Sequence, residues 1–419
     1  MKVVELSSFT RNILTLVSGT VLAQALPIMV SPILTRIYSP EEFGILALYM
    51  AVISVFSSIA TARYELAVIL PKKESDSLAI VILCLLVSIF IGLVLFVLIL
   101  IWGADFSKAV GNPELSNWLY WAPLTVVLVA VYNTLRYYNN RFDNFKNVAS
   151  SAVWKSLVMT LVNLVYGLVK KGAAGLIIGF SLSFLAGSVN LSRTLKKVSK
   201  DLKAVTRGRV KAMAMRYSEF PKFSAPSILT NVIAMNANNV FTSFMFNVKT
   251  LGFYSFCNQI LGAPVSVISQ SVSQAFLNEA KKSKESYGDA QAIFKATVKK
   301  LFLISTPIFL LVFFFSELLF AFFFGEEWSV AGTYARILTP LFWARFIVVP
   351  VSIATSVFEQ ERQIFIWQIG FLIISLALFG ITFSLKLEVL TFLKLYSLVL
   401  TIHYFILLWV LNKVVRPKF

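Results

Sequence analysis

The sequence predicts an all-α polytopic membrane protein of about twelve transmembrane helices arranged as two six-helix lobes. Three observations carry that prediction. Of the 419 residues, 58% are hydrophobic and only 14% are charged, more apolar surface than a soluble chain of this length can bury. The apolar residues fall in repeated runs, and a hydrocarbon core about 30 Å thick takes about 20 residues of helix. Near the middle of the chain, from Arg193 to Arg216, nine Lys or Arg stand with a single acid, Asp201.

Taken in order, the predicted spans are 12–36, 43–66, 78–101, 116–136, 148–169 and 172–192, then 222–246, 252–276, 300–323, 334–357, 364–385 and 389–411. Residues 1–192 form the first lobe, 193–221 a basic cytoplasmic linker, and 222–419 the second lobe with its tail. The formal net charge of +18 raises the question of a nucleic-acid partner. The bases, however, sit in short segments between apolar runs, which is the positive-inside pattern and no nucleic-acid face. They concentrate at Lys72-Lys73, Arg136–Lys146, the linker, Lys281–Lys300 and the tail from Lys413 to Lys418. The opposite loops are locally acidic, with Glu41-Glu42 and Glu326-Glu327. Lys170-Lys171 is the exception, in a very short outer turn. Both termini are expected in the cytoplasm. The first apolar run is too long for a cleavable signal.

The two halves repeat weakly. Gly44, in YSPEEFGIL, matches Gly252, in FNVKTLGFY, at an offset of 208; Gly103 with Trp121-Ala122 matches Gly325 with Trp343-Ala344 at an offset of 222. Six helices bring the chain back to its starting side, so both halves enter the membrane in the same sense, a parallel repeat.

Small residues at Gly175, Gly179, Ser183 and Gly187 make a ridge for close helix packing. Pro27 and Pro32 inside the first span should bend it, as should Pro264, Pro307, Pro340 and Pro350 in theirs. These bends are either static or the flexing points of a gate.

An ionisable side chain at bilayer depth faces water or a partner. Arg345, near mid-membrane, is read as lining a polar cavity or as holding helices together. Arg63 either lines the inner mouth or pairs with Glu65. Lys155, about two turns into its span, lines the cavity or snorkels to the interface, and Arg336 and Lys394 are expected to snorkel at the outer one. Amides gather in the seventh and eighth spans: Asn231 and Asn238 share a face, with Asn236 and Asn239 beside them, and Asn258, Gln259, Gln270 and Gln274 follow. They line a path for sugar hydroxyls or join helices. His403 is expected to pack between helices.

Cys84 and Cys257 lie in apolar runs, and with one histidine in the chain no metal or other cofactor is expected. There is no phosphate-binding GxxxxGK[ST] loop and no soluble segment large enough for a catalytic domain. The chain therefore reads as no enzyme, and transport would draw on an ion gradient, the membrane potential or the substrate's own gradient.

The stretch LTRIYSPEEFGILALYMAVISVFSSIATARYELAVIL, chiefly Arg36, Pro40, Phe43, Gly44 and Arg63, resembles the start of bacterial polysaccharide-transport flippases of the O-antigen (Wzx) type. These belong to the multidrug/oligosaccharidyl-lipid/polysaccharide exporter superfamily. The resemblance extends over the chain in helix count and in its half-and-half layout. It implies a MATE-like pair of lobes in a V around a central cationic cavity, in the bacterial inner membrane. The implied substrate is an undecaprenyl-pyrophosphate-linked oligosaccharide moved from the inner to the outer leaflet by alternating access, with polysaccharide polymerase and chain-length proteins as candidate partners. Arg345, Arg63 and Lys155 would then meet the pyrophosphate, and Asn231, Asn238, Asn258, Gln259, Gln270 and Gln274 the sugar. A drug antiporter of the same superfamily and a non-transporting scaffold of polysaccharide assembly are the competing readings. Scarce intramembrane acids argue against the first, and kinked helices with buried bases against the second.

Overall fold

A computed structural model describes residues 8–170, 172–196 and 205–416. Lys171, residues 197–204 of the basic stretch, and both chain ends, with the tail's Lys418, lie outside the described residues. Among those described there is no strand, and twelve helices reach 20 residues or more. Ten are long and apolar enough to cross a membrane. The other two, Ala122–Arg141 and Ala225–Met245, are diluted by their own polar residues: Asn133, Arg136, Asn139, Asn140 and Arg141 in one, four asparagines in the other.

The chain divides into two compact units, Met1–Gly252 and Phe253–Phe419. This is a different division from the sequence halves: the helix after the linker and the first turn of the next one pack with the first unit.

The first unit contains α1 (Ser8–Ile37), α2 (Pro40–Ile59), α3 (Glu74–Ala109), the short α4 (Leu115–Leu119), α5 (Ala122–Arg141), α6 (Phe145–Val169), α7 (Ala174–Lys196), α8 (Arg207–Arg216), α9 (Ala225–Met245) and the start of α10 (Val248–Tyr287). α2 begins sharply. Ser39 caps it by accepting from the Glu42 amide at 3.4 Å, the Glu42 carboxylate accepts from the Ser39 amide at 2.7 Å, and Pro40 fits the first turn, where no N–H is needed. α2 ends earlier than the span predicted over 43–66. Ala62 and Arg63 take positive φ, 47° and 65°, and a 3-10 turn, Tyr64–Ile69, follows. The span predicted at 116–136 is likewise split into α4 and α5.

α6 packs on α1 and α7, α3 on α5, and α9 on α2. The small-residue ridge of α7 works as packing. Gly175 receives the Tyr38 hydroxyl, Gly179 the Asn163 amide, and Gly187 the Tyr132 ring. The same Tyr38 hydroxyl donates to the Asn163 carbonyl at 2.7 Å. Pro27 and Pro32 lie inside a continuous α1. Pro32 has no N–H for the Ile28 carbonyl, and the Ser31 hydroxyl donates to that oxygen instead, at 2.6 Å.

One of the two repeat matches is structural. Gly44 and Gly252 are each the fifth residue of their helix, and each N-cap, Ser39 and Asn247, accepts from the amide three residues on. A Cβ on Gly44 would strike the Val248 carbonyl oxygen, and one on Gly252 the Pro40 carbonyl oxygen. The match at offset 222 is not structural: Gly103 is buried within α3, whereas Gly325 ends α11 at a φ of 104°.

The second unit holds the rest of α10, α11 (Gln291–Phe324), α12 (Ser329–Val351), the single-turn α13 (Ala354–Val357), α14 (Glu361–Leu385) and α15 (Val389–Val414). α11 packs on α12, α12 on α15, and α15 on α14. One end is sealed by an aromatic cluster in which Phe256 lies 4.9 Å from Phe324 and 4.5 Å from Trp328 between ring centroids. His403 packs as expected: it stacks on Trp367 at 4.8 Å, and a ring nitrogen of each is bonded to the other residue's carbonyl at 3.0 Å.

Candidate functional site

Glu65 and Glu317, the acids at the ends of predicted spans, are each paired with an arginine. Glu65, 5% exposed, pairs with Arg63 at 3.1 Å and accepts from the Thr61 hydroxyl. Arg63 also donates to the Ser224 hydroxyl at 3.4 Å. The left-handed backbone at Arg63 lets the residue turn back on a carboxylate only two positions away, and of the two readings for Arg63 the geometry shows the pair. Glu317 pairs with Arg336 at 2.9 Å and accepts from the Thr333 hydroxyl at the same distance. Arg336, expected to snorkel at the outer interface, finds a carboxylate on the neighbouring helix, with both side chains exposed.

The two deeper bases have no such partner. Arg345, half-buried in α12, is paired with no carboxylate among the described residues, and its Nε is buried without any hydrogen-bond partner. Its guanidinium lies 5.2 Å from the centroid of the Phe342 ring. Tyr254 of α10 and Tyr396 and Tyr404 of α15 stand within its electrostatic reach, the hydroxyls of Tyr254 and Tyr396 hydrogen-bonded to each other. The Asn258 side chain hydrogen-bonds the Tyr254 side chain, so the structure brings Arg345 and Asn258 to one cluster. The tyrosines escape sequence reasoning. Their only signal is helical spacing, Tyr254 four residues before Asn258 and Tyr396 eight before Tyr404, which does not reveal what another helix brings to that face.

Lys155, in α6 of the first unit, is the second such base. Its ammonium lies 4.0 Å from the Phe184 ring centroid and 5.5 Å from that of Tyr132, a cation–π seat built by α7 and α5. No carboxylate among the described residues pairs with it. Lys155 and Arg63 keep separate partners within that unit.

The amides divide. Gln259, Gln270 and Gln274 fall on one side of α10, all exposed, and none has a hydrogen-bond partner among the described residues. Asn231 of α9 is exposed too, and Asn238, seven residues on, is half-buried. Asn236 turns onto its own helix, donating to the Val232 carbonyl at 2.8 Å. Elsewhere asparagines do join helices: Asn139 donates to the Leu191 carbonyl of α7 at 3.1 Å and accepts from Thr194 at 2.7 Å.

Chemically, then, the residues offer a poised guanidinium among hydroxyls and an amide in one unit, an ammonium over aromatic rings in the other, and a row of free glutamines. Each of these is a donor that an anion or a hydroxyl could use. No group of three or more His, Cys, Asp or Glu able to hold a metal occurs among the described residues.

This fold, with ten helices long and apolar enough to span, defines a multi-pass membrane protein. Residues 33–332 match the polysaccharide biosynthesis protein family, and the chain belongs to that family. In fold it is similar to lipid II flippase MurJ in an inward closed conformation, at TM-score 0.65 and 13% identity over 96% of this chain and 86% of that one. It is also similar to an inward-facing multidrug resistance MATE family transporter of the MOP superfamily, at 0.57 and 14% over 94% and 92%. A third likeness is a MOP superfamily transporter from Pyrococcus furiosus whose binding pocket has reversed polarity, at 0.56 and 13% over 96% and 94%. No curated protein matches the chain in sequence. The all-helical, MATE-like architecture expected from the sequence is the one found.

Proposed function

We propose that this chain is a flippase for a lipid-linked oligosaccharide, carrying an undecaprenyl-pyrophosphate-linked repeat unit from the inner to the outer leaflet of the bacterial inner membrane by alternating access, with both termini in the cytoplasm. One observation carries the reading. Glu65 and Glu317 are neutralised by arginine, whereas Arg345 and Lys155 are not neutralised by acid among the described residues. An uncompensated cation at bilayer depth is costly, and an anionic cargo relieves that cost during transit. Guanidinium suits a diphosphate because its planar fork offers two parallel donors. The free Gln259, Gln270 and Gln274 supply donors and acceptors for sugar hydroxyls. A cargo of charge about −2 leaving a negative interior gains roughly 4–5 kcal/mol per 100 mV, so the membrane potential contributes to the drive. Family membership supports a role in making surface polysaccharide such as O-antigen or capsule. A carrier of cationic drugs needs a free acid at depth, and Glu65 and Glu317 are both engaged by arginine.

The test is made in cells. Deleting the gene should abolish surface polysaccharide and leave lipid-linked repeat units on the inner leaflet. Arg345→Ala at wild-type abundance should reproduce that phenotype. A drug-sensitivity phenotype with intact polysaccharide would point to an antiporter instead.

A further inference from the structure

The basic stretch that marks the middle of the sequence is not used by the transport reading, yet its described part has a definite structure. Thr206 caps α8 by accepting from the Arg209 amide at 3.3 Å. One side of α8 is fixed to the first unit. Met213 is buried in a cluster with Tyr64, Val68, Leu78, Cys84 and Tyr138, Arg209 pairs with Asp76 at 3.2 Å, and the Tyr64 hydroxyl donates to the Ala214 carbonyl at 3.0 Å. The other side carries Arg207, Lys211 and Met215, spaced by four and all exposed, with Arg216 beside them. Lys222 and Phe223 follow, exposed in the π turn that leads into α9.

No carboxylate among the described residues pairs with Arg207, Lys211, Arg216 or Lys222, and Glu219 is the one acid between Thr206 and Ser224. Met215 is 63% exposed and Phe223 72%. Bases interleaved with large bare apolar side chains are wasteful in water but suited to a bilayer interface, where charge meets headgroups and the apolar chains enter the acyl boundary. The position agrees. α8 lies where α3 begins, α5 ends and α9 begins, at the end of the unit that carries Lys72, Lys73 and Arg141.

We propose that the outward face of α8 and the turn after it form a binding surface for anionic phospholipid of the cytoplasmic leaflet. The occupant follows from charge complementarity: four unneutralised bases between Arg207 and Lys222 select acidic headgroups over zwitterionic ones. Electrostatic attraction makes the contact salt-sensitive.

The experiment is hydrogen exchange on the full-length protein in nanodiscs of phosphatidylcholine alone, of phosphatidylcholine with one-third phosphatidylglycerol, and of phosphatidylcholine with undecaprenyl diphosphate. Amides of residues 206–223 should exchange more slowly with phosphatidylglycerol, and the protection should fall about fivefold for each base removed in Arg207→Gln, Lys211→Gln, Arg216→Gln and Lys222→Gln. Lys211→Arg with Lys222→Arg should keep the protection, and unchanged exchange in α3 reports that the fold is intact. Equal exchange in the first two nanodiscs would overturn the proposal. Protection only with undecaprenyl diphosphate would also overturn it, assigning the face to a diphosphate lipid.

Discussion

Gly44 and Gly252 lie against each other's helix starts, each occupying the space a side chain would need beside the other's Pro40 or Val248 carbonyl. They are equivalent positions of the two sequence halves, and the contact is reciprocal. A repeat too weak to align over its length is thus visible where the backbones touch, because only glycine permits that approach.

Substitution at either glycine should therefore cost stability. The atoms that would be struck are backbone carbonyls, which cannot rotate away. Gly44→Ala or Gly252→Ala should destabilise by about 1–3 kcal/mol, with a lowered melting temperature in detergent. Gly380, where an added Cβ would meet nothing within 4 Å, should accept alanine freely.

Arg345 should trade stability for function. Replacing it with methionine removes a buried Nε that has no partner while keeping the stem's packing. The variant should melt at the same temperature as wild type or higher, a gain of up to about 2 kcal/mol, while losing transport. A large fall in melting temperature would show that the guanidinium holds helices together instead.

The pair of Arg63 and Glu65 should behave oppositely. Glu65→Gln leaves Arg63 without its carboxylate at a site where both side chains are largely enclosed, so it should destabilise by about 2 kcal/mol. Arg63→Gln combined with Glu65→Gln should cost less than the two single changes summed. Melting temperatures of the three variants give the coupling directly.

Much of the fold is legible in the sequence because bilayer thickness fixes helix length and apolar runs report it. The breaks are not. Nothing beside Ala62 and Arg63 signals that they leave the helix, since neither Gly nor Pro stands near them. α5 and α9 are recovered as spans despite their polar residues because their neighbours in sequence leave no other topology. At the site, Arg345 and Lys155 stand out as charges in apolar runs, but their surroundings do not. Tyr254, Tyr396 and Phe184 come from other helices, and one sequence cannot show which helix faces meet. The amides are ambiguous for the same reason: Asn236 and Gln270 read alike until one is seen bonded to its own helix and the other bare.

The transport reading stands or falls on whether the unneutralised cations carry a diphosphate. That is measured by flipping of a fluorescent polyprenyl-diphosphate glycolipid in proteoliposomes under an imposed membrane potential, with Arg345→Gln beside wild type. Wild type should flip in a potential-dependent manner. The rate should fall about 100-fold in Arg345→Gln, the loss of one charge-assisted contact, and be largely kept in Arg345→Lys. Flipping at the wild-type rate in a fully folded Arg345→Gln protein would refute a diphosphate-carrying role for this guanidinium.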